Sequence, residues 1–452
     1  MKLFIAISLI LGMSLLPLNS APAGAAASGG RLVARVYNSG FPEGHDTYNG
    51  MGAASDGRIY YVLSSESYDV AAQMFSFDPK TGKIQRLGDL TEACGEQGTK
   101  CIPQGKSHVN FVELDGKLYF ATHIGVYAIV DGRETMGLPP PGYQPYRGGH
   151  FLSYDLHSGT FEDLGLNPNH DGIISMTADP KRRRLYGLSW PSGHFLRYDV
   201  PRKELRDLGP IPGQLPNVPV YRALCRSLVV SAEDGSTYFT TVDGQILRYR
   251  YDRDTVEIIP GEDMKKDYFG LFDPNKPGHM GYNWRQAFWY PPEKRIYGVH
   301  GNSGYLFSFD PAVPRVEVVD RLTSEPSQRC GMFDQFSFGY LGFALGPDLQ
   351  TIYYLTGGPV YLHGKRVAGK AATAKGEARG LEDLHLITWN IPQGRYTDHG
   401  AVFYENGERP LYVNSLAVGL DGSVYSLGRV TEKGKTRADL FRVSAAQIKP
   451  VN

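Results

Sequence analysis

The chain has 452 residues with 47 basic and 47 acidic side chains, so no net field draws it to nucleic acid or to an anionic membrane surface. Its 29 tyrosines, 21 phenylalanines and 54 glycines, with almost no helical periodicity, are the composition of an all-β protein rich in turns. Recognition of a charged partner must therefore come from a local cluster.

In chain order, an apolar run over residues 3–18 follows Met1 and Lys2 and gives way to small residues up to Ala27. This reads as a secretory leader over residues 1–27, removed on export, leaving a secreted or periplasmic chain with no membrane span. Residues 28–452 are expected to form one domain. Four cysteines in an oxidising compartment permit disulfides. Cys94 and Cys101 share a loop and suit a local bridge. Cys225 and Cys330 are compatible with a second bridge, with free buried thiols, or with part of a metal site.

From Met51 onward one unit recurs seven times, at a spacing within or slightly above that of propeller blades. An apolar strand leads to a short turn such as Ser55-Asp56-Gly57, Asp115-Gly116 or Asp234-Gly235. The second strand carries a tyrosine: Tyr60, Tyr119, Tyr186, Tyr238, Tyr297, Tyr353 and Tyr425. The third ends in an aromatic-Asp pair in several copies, as in Phe77-Asp78, Tyr154-Asp155, Tyr198-Asp199 and Phe309-Asp310. Leucine-glycine marks the fourth at Leu87-Gly88, Leu164-Gly165 and Leu208-Gly209. Four antiparallel strands repeated seven times predict a β-propeller of seven blades, with six or eight as the alternative counts. The orphan strand RLVARVY, near the mature N-terminus, is expected to pair with the short last copy, closing the ring and hiding an open edge. The sixth copy is irregular, with a polar insertion over residues 364–383 read as a solvated loop.

In such a blade the loops from strand two to three, and from strand four to the next strand one, emerge on one face, where function is expected. Arg226 and Arg285 each lie twelve residues before their tyrosine, at the entry to adjacent inner strands. His123 and His300 end second strands; His150 and His194 open third strands in Gly-His-Phe-Leu-x-Tyr-Asp, where Tyr305 stands in blade five. Tyr221 precedes Arg226, and Trp190 closes the second strand before His194. Taken singly, each arginine, histidine or aromatic is as readily a loop cap, an ion-pair partner or inter-blade packing. Their convergence favours chemistry. Glycoside hydrolysis would want two spaced carboxylates, which these positions lack. Removal of a proton α to a carboxylate, with β-elimination, wants a cation, a base and an acid, which they supply. An acidic, uronic-acid polysaccharide is the implied partner; a propeller that binds a glycan or protein without cleaving it is the alternative, and a metal-dependent lactonase would need acidic ligands that are scarce here.

The segments KLYFATHIGVYAIVDG, PPPGYQPYRGGHFLSYDLHSGTFEDLG, RLYGLSWPSGHFLRYD, CRSLVV and GYNWRQAFWYPPEKRIYGVHGNSGYLFSFD resemble the seven-bladed propeller ulvan lyases. The resemblance implies an exported enzyme that cleaves a sulfated polysaccharide at a uronic acid. It implies His123 and His150 in the catalytic centre, Arg226 as carboxylate neutraliser with Arg285 as second choice, and Tyr221 as the catalytic tyrosine with His194 as its substitute. Arg285, His300, Tyr305 and Trp190 are then the substrate contacts. The chemistry requires no cofactor. Some members carry a structural zinc, for which Cys225, His279 and Cys330 are the residues available here.

Overall fold

The computed structural model describes residues 30–45, 48–131, 133–213, 224–269, 281–300, 303–330, 342–362, 365–366, 382–432 and 434–448. The expected leader, Tyr221, His279 and most of the 364–383 insertion lie outside them. Five separate four-stranded sheets are present, together with one eight-stranded sheet that divides into two four-strand halves. The chain is a β-propeller. Its first blade comprises Met51–Ala53, Ile59–Leu63, Gln73–Asp78 and Lys83–Asp89, paired antiparallel in that order. Later blades repeat this order through residues 112–166, 172–210, 229–263, 284–321 and 343–404.

The repeat residues have local physical reasons. Second strands are covered on both faces by neighbouring sheets, which is why Ile59–Leu63 is buried throughout while the outer strand Lys83–Asp89 is half exposed. The second-strand tyrosine wedges between blades: ring centroids are 6.0 Å apart for Tyr60 and Tyr154, 5.0 Å for Tyr186 and Tyr249, and 5.8 Å for Tyr238 and Phe309. Its hydroxyl can reach back to the preceding turn, donating to Asp56 from Tyr60 at 2.8 Å and to Glu293 from Tyr297 at 2.7 Å. The aspartate ending the third strand folds the next turn, since Asp78, Asp155 and Asp310 each accept from the backbone N–H two residues on.

Closure follows the expected route, with one addition. Arg31–Tyr37 pairs antiparallel with Lys435–Val443, completing the last blade. It also pairs in parallel with Arg395–Tyr404 of the blade before, which fuses the two into the eight-stranded sheet. The innermost strand of this last blade, Ala417–Val418, lies against both Phe343–Leu345 and Met51–Ala53, so the ring joins end to start.

Blade two departs from the pattern in a way that matters for function. Before its first strand, Gln104–Lys106 pairs with His123–Ile124, an extension of the second strand. A short hairpin, Tyr127–Val130 with Arg133–Met136, then stands in the loop before the third strand. Among the described residues no helix is long and apolar enough to cross a membrane.

Candidate functional site

Three chain segments cross above blades one and two with almost no room between them. The Ser65 N–H donates to the Gly105 carbonyl at 2.9 Å. A Cβ on Gly105 would stand 2.4 Å from the Gly125 Cα, and one on Gly125 would stand 2.0 Å from the Ser65 carbonyl oxygen, so both positions require glycine. This crossing sets Glu66, Lys106 and His123 side by side on the face expected for function.

Around them the ring contacts are continuous. Lys106 Nζ lies 3.2 Å from a Glu66 carboxylate oxygen, 4.8 Å from the Tyr127 ring centroid and 5.7 Å from that of Tyr48. His108 stacks on Tyr48 at 5.0 Å and meets His123 edge-on at 4.6 Å. Its Nε2 is 3.3 Å from the Tyr127 hydroxyl. Trp190 from blade three closes the far side, 5.7 Å from His123 and 5.5 Å from Tyr127. His123 is 0% exposed, whereas Tyr127, Tyr48 and Arg226 are half-buried. Burial, and after it the charges of Lys106 and Arg226, hold the His123 imidazole well below its ordinary pKa. It is therefore a neutral ring at physiological pH.

The floor under His123 is Gly172, where a Cβ would come within 1.7 Å of the imidazole Nδ1. Gly172→Ala is expected to displace the ring and with it the His108 and Tyr127 contacts, lowering any activity of this site at least tenfold at a cost of about 1–3 kcal/mol of stability. Parallel assay and urea titration of that variant check both; unchanged activity would remove His123 from the site.

Of the expected site residues, Trp190 meets His123, and the charge of Arg226 bears on the same ring. His150 and His194 are engaged elsewhere. His150 places Nδ1 2.9 Å from Asp163 and Nε2 3.2 Å from Glu96, and His194 Nδ1 is 2.7 Å from Asp207. His385 repeats the arrangement with Asp398 at 3.0 Å. All three pairs are thirteen residues apart. In each, the aspartate also accepts from the N–H of a glycine two residues on, at a register shift between third and fourth strands. The shared position of these histidines thus marks a clamp on a β-bulge.

Burial would push the His150 imidazole down, but the hydrogen bonds and charges of Asp163 and Glu96 outweigh it and lift the pKa from 6.5 to about 9. A folded value above the ordinary one adds stability that is complete below pH 6.5 and is lost as the pH rises through about 9. We expect an unfolding free energy that falls by about 3 kcal/mol across that window, and a much shallower fall in His150→Gln. Urea titrations at several pH values measure this; an equal slope in the variant would contradict the assignment.

On the blade-five side, Arg285 is buried, and its charge bears on the Cys225 thiol and the Tyr354 phenol. His300 stacks on Phe269 at 4.3 Å and shares a hydrogen bond with Ser303 at 2.9 Å, while the Arg321 guanidinium stands 5.8 Å from the Tyr305 ring centroid. Asn110, in the loop before the inner strand of blade two, reaches Gln286 in the inner strand of blade five at 3.4 Å. Tyr221 and His279 lie outside the described residues, as does the Cys330 side chain. Cys225 is held as a thiol: burial raises its pKa, and it contacts the Ser227 carbonyl at 3.2 Å and the Thr240 hydroxyl at 3.5 Å. Among the described residues no three His, Cys, Asp or Glu are grouped to hold a metal, and two of the three residues named for a zinc site extend beyond them. Cys94 and Cys101 are free thiols, which corrects the expected local bridge. A groove of about 410 Å³ lies beside Glu96, lined by Tyr68, Asp69, Asp89, Glu92 and Tyr143. It contains none of the His123 cluster.

Lys106, Tyr48, Glu66, His108 and Tyr127 are not among the residues that the repeat pattern singles out. The available signal was loop class: Lys106 and His108 precede an inner strand, and Glu66 and Tyr127 follow a second strand.

Fold and cluster together define a β-propeller with a cationic, aromatic mouth. No protein-family model matches the sequence, and no curated protein does. Among solved structures the chain is similar to a streptogramin B lyase, at a TM-score of 0.51 and 10% identity over 91% of this chain and 97% of that one. It is also similar to a chain of a mitotic checkpoint complex, at a TM-score of 0.50 and 12% identity over 96% of this chain and 100% of that one. At these identities the likeness is one of fold alone.

Proposed function

We propose that this is an exported polysaccharide lyase that cleaves a uronic-acid-containing, ulvan-like polysaccharide by β-elimination at the mouth over blades one to three. The observation that carries the reading is the half-buried Tyr127 phenol, 3.3 Å from His108 Nε2 and beneath the Lys106 ammonium, with the charge of Arg226 acting on the adjoining His123. A uronate carboxylate meets Arg226, which withdraws charge from the α-carbon. The Tyr127 oxygen takes the α-proton as its own proton passes to His108, and the Lys106 charge favours the negative oxygen between the two events. The electron pair forms the new double bond, the bond to the β-oxygen breaks, and Tyr48 gives that oxygen its proton. His123, fully covered, is a positioning residue: it orients His108 and, being neutral, adds no charge to repel Arg226 or Lys106.

Mass spectrometry of products from uronic-acid polymers tests this, because elimination leaves one fragment lighter by a water than hydrolysis would. Products of hydrolytic mass would refute it. A second reading, binding of an acidic glycan without cleavage, is favoured by the near-complete cover over His108, His123 and Lys106. Retained binding with no product of either kind would select it.

A further inference from the structure

The face opposite the mouth, where the short turns lie, carries a groove of about 290 Å³ between blades six and seven. Asp348 and Gln350 come to it from the turn between the first two strands of blade six, and Asn390 and Gln393 from the end of its third strand and the turn that follows. Gly422, Ala445 and Ile448 line it from blade seven. The floor is polar and held in place. Thr351, Thr388 and Asn390 are each no more than 5% exposed. Asn390 Nδ2 donates to the Thr351 hydroxyl at 3.4 Å, which donates to Asp348 Oδ2 at 2.6 Å, and Thr388 shares a hydrogen bond with His399 Nε2 at 2.8 Å. The N–H groups of Gln350 and Thr351 donate to Asp348 Oδ1 at 3.1 and 2.9 Å. Burial would raise the Asp348 pKa, but these hydrogen bonds outweigh it and hold the carboxyl below its ordinary value, as an anion.

The hydrogen-bonding capacity left over selects the ligand. A carboxylate accepts about four hydrogen bonds, and the described residues give Asp348 two on Oδ1 and one on Oδ2, which leaves Oδ2 able to accept another. Asn390 uses one of its side-chain N–H groups on Thr351, while its Oδ1 accepts from the Gln393 N–H at 3.0 Å. An acceptor and a donor therefore flank the same threonine hydroxyl. A ligand hydroxyl, which donates and accepts at once, satisfies both. The exposed Gln350 and Gln393 add two carboxamides of the same dual character at the rim. The half-buried Tyr353 phenol keeps its proton to donate, since burial and then the Asp348 charge raise its pKa. Among the described residues no lysine, arginine or histidine lines the groove, so nothing in it attracts an anion. Ala445 and Ile448 supply an apolar wall on which the C–H face of a sugar ring can pack.

We propose that this groove is a non-catalytic binding site for a neutral sugar unit, separate from the mouth and on the opposite face. It goes beyond the elimination reading and does not depend on it. Calorimetric titration of the whole chain with neutral tetrasaccharides of glucose, xylose, mannose and galactose, and with tetragalacturonate as the charged control, tests the site. At least one neutral compound is expected to bind. The double substitution Gln350→Ala with Gln393→Ala is expected to weaken that binding by roughly tenfold to a hundredfold, as loss of two hydrogen bonds does. Both side chains are exposed, so the fold should be unaffected, and each single substitution should give part of the loss. Any affinity for tetragalacturonate, and any release of unsaturated product at the mouth, should be the same in the double variant as in the wild type. Three results would each overturn the site: no neutral compound bound at millimolar concentration, a neutral-sugar affinity unchanged in the double variant, or an equal loss for tetragalacturonate. The expected pattern in a protein that releases no unsaturated product would refute the elimination and leave this site standing.

Discussion

Tyr127→Phe should lower turnover of a uronic-acid polymer by about 10²–10⁴-fold, the usual contribution of a positioned acid or base. The substitution keeps the ring that Lys106 covers and that meets Trp190 edge-on, and it deletes only the oxygen near His108. Substrate binding should hold within a few-fold, so the loss should fall on kcat and spare KM. Initial rates at several substrate concentrations make the separation. A rise in KM at constant kcat would recast Tyr127 as a sugar platform and move the proton transfer elsewhere.

Arg226→Ala should cost about 10²–10³-fold in kcat/KM, as removal of one preorganised charge donor does. Arg226→Lys should recover part of it, since an ammonium supplies charge without the planar fork that fits a carboxylate. The same substitution acts on His123. With one of the two cations removed, the imidazole pKa rises toward its ordinary value, though burial, the first cause of its depression, remains. Nuclear magnetic resonance titration of the His123 ring in Arg226→Ala therefore reads the proximity of the pair independently of turnover. If Arg226→Ala were silent and Arg285→Ala abolished activity, the carboxylate would belong on the blade-five side of the channel.

The propeller was legible in the sequence because its repeated residues act locally. A tyrosine that wedges against the next blade stands in every copy and an aspartate that folds the next turn in several, so they recur at fixed spacing. The same logic misdirected part of the site. His150 and His194 share a repeat position because each clamps a bulge thirteen residues away, and His385 does so as well. Residues that make blade two chemically distinct lie in irregular loops with no counterpart to align. Tyr48 and Tyr412 are 364 residues apart and meet only because Arg31–Tyr37 closes the ring, a contact that no spacing rule predicts. Cys94 and Cys101 show the limit of proximity in sequence: Cys94 is buried at the end of the short helix Leu90–Ala93 while Cys101 pairs with Gln144, which leaves two separate thiols.

The central claim is elimination next to a uronate carboxylate at this mouth. It is tested most directly by following the ultraviolet absorbance of unsaturated uronate when the protein is given a uronic-acid polysaccharide and, in parallel, the same polymer with its carboxyl groups reduced. The account predicts a steady rise with the first and none with the second. New reducing ends from the first polymer without any absorbance, or an equal rise from the second, would contradict it.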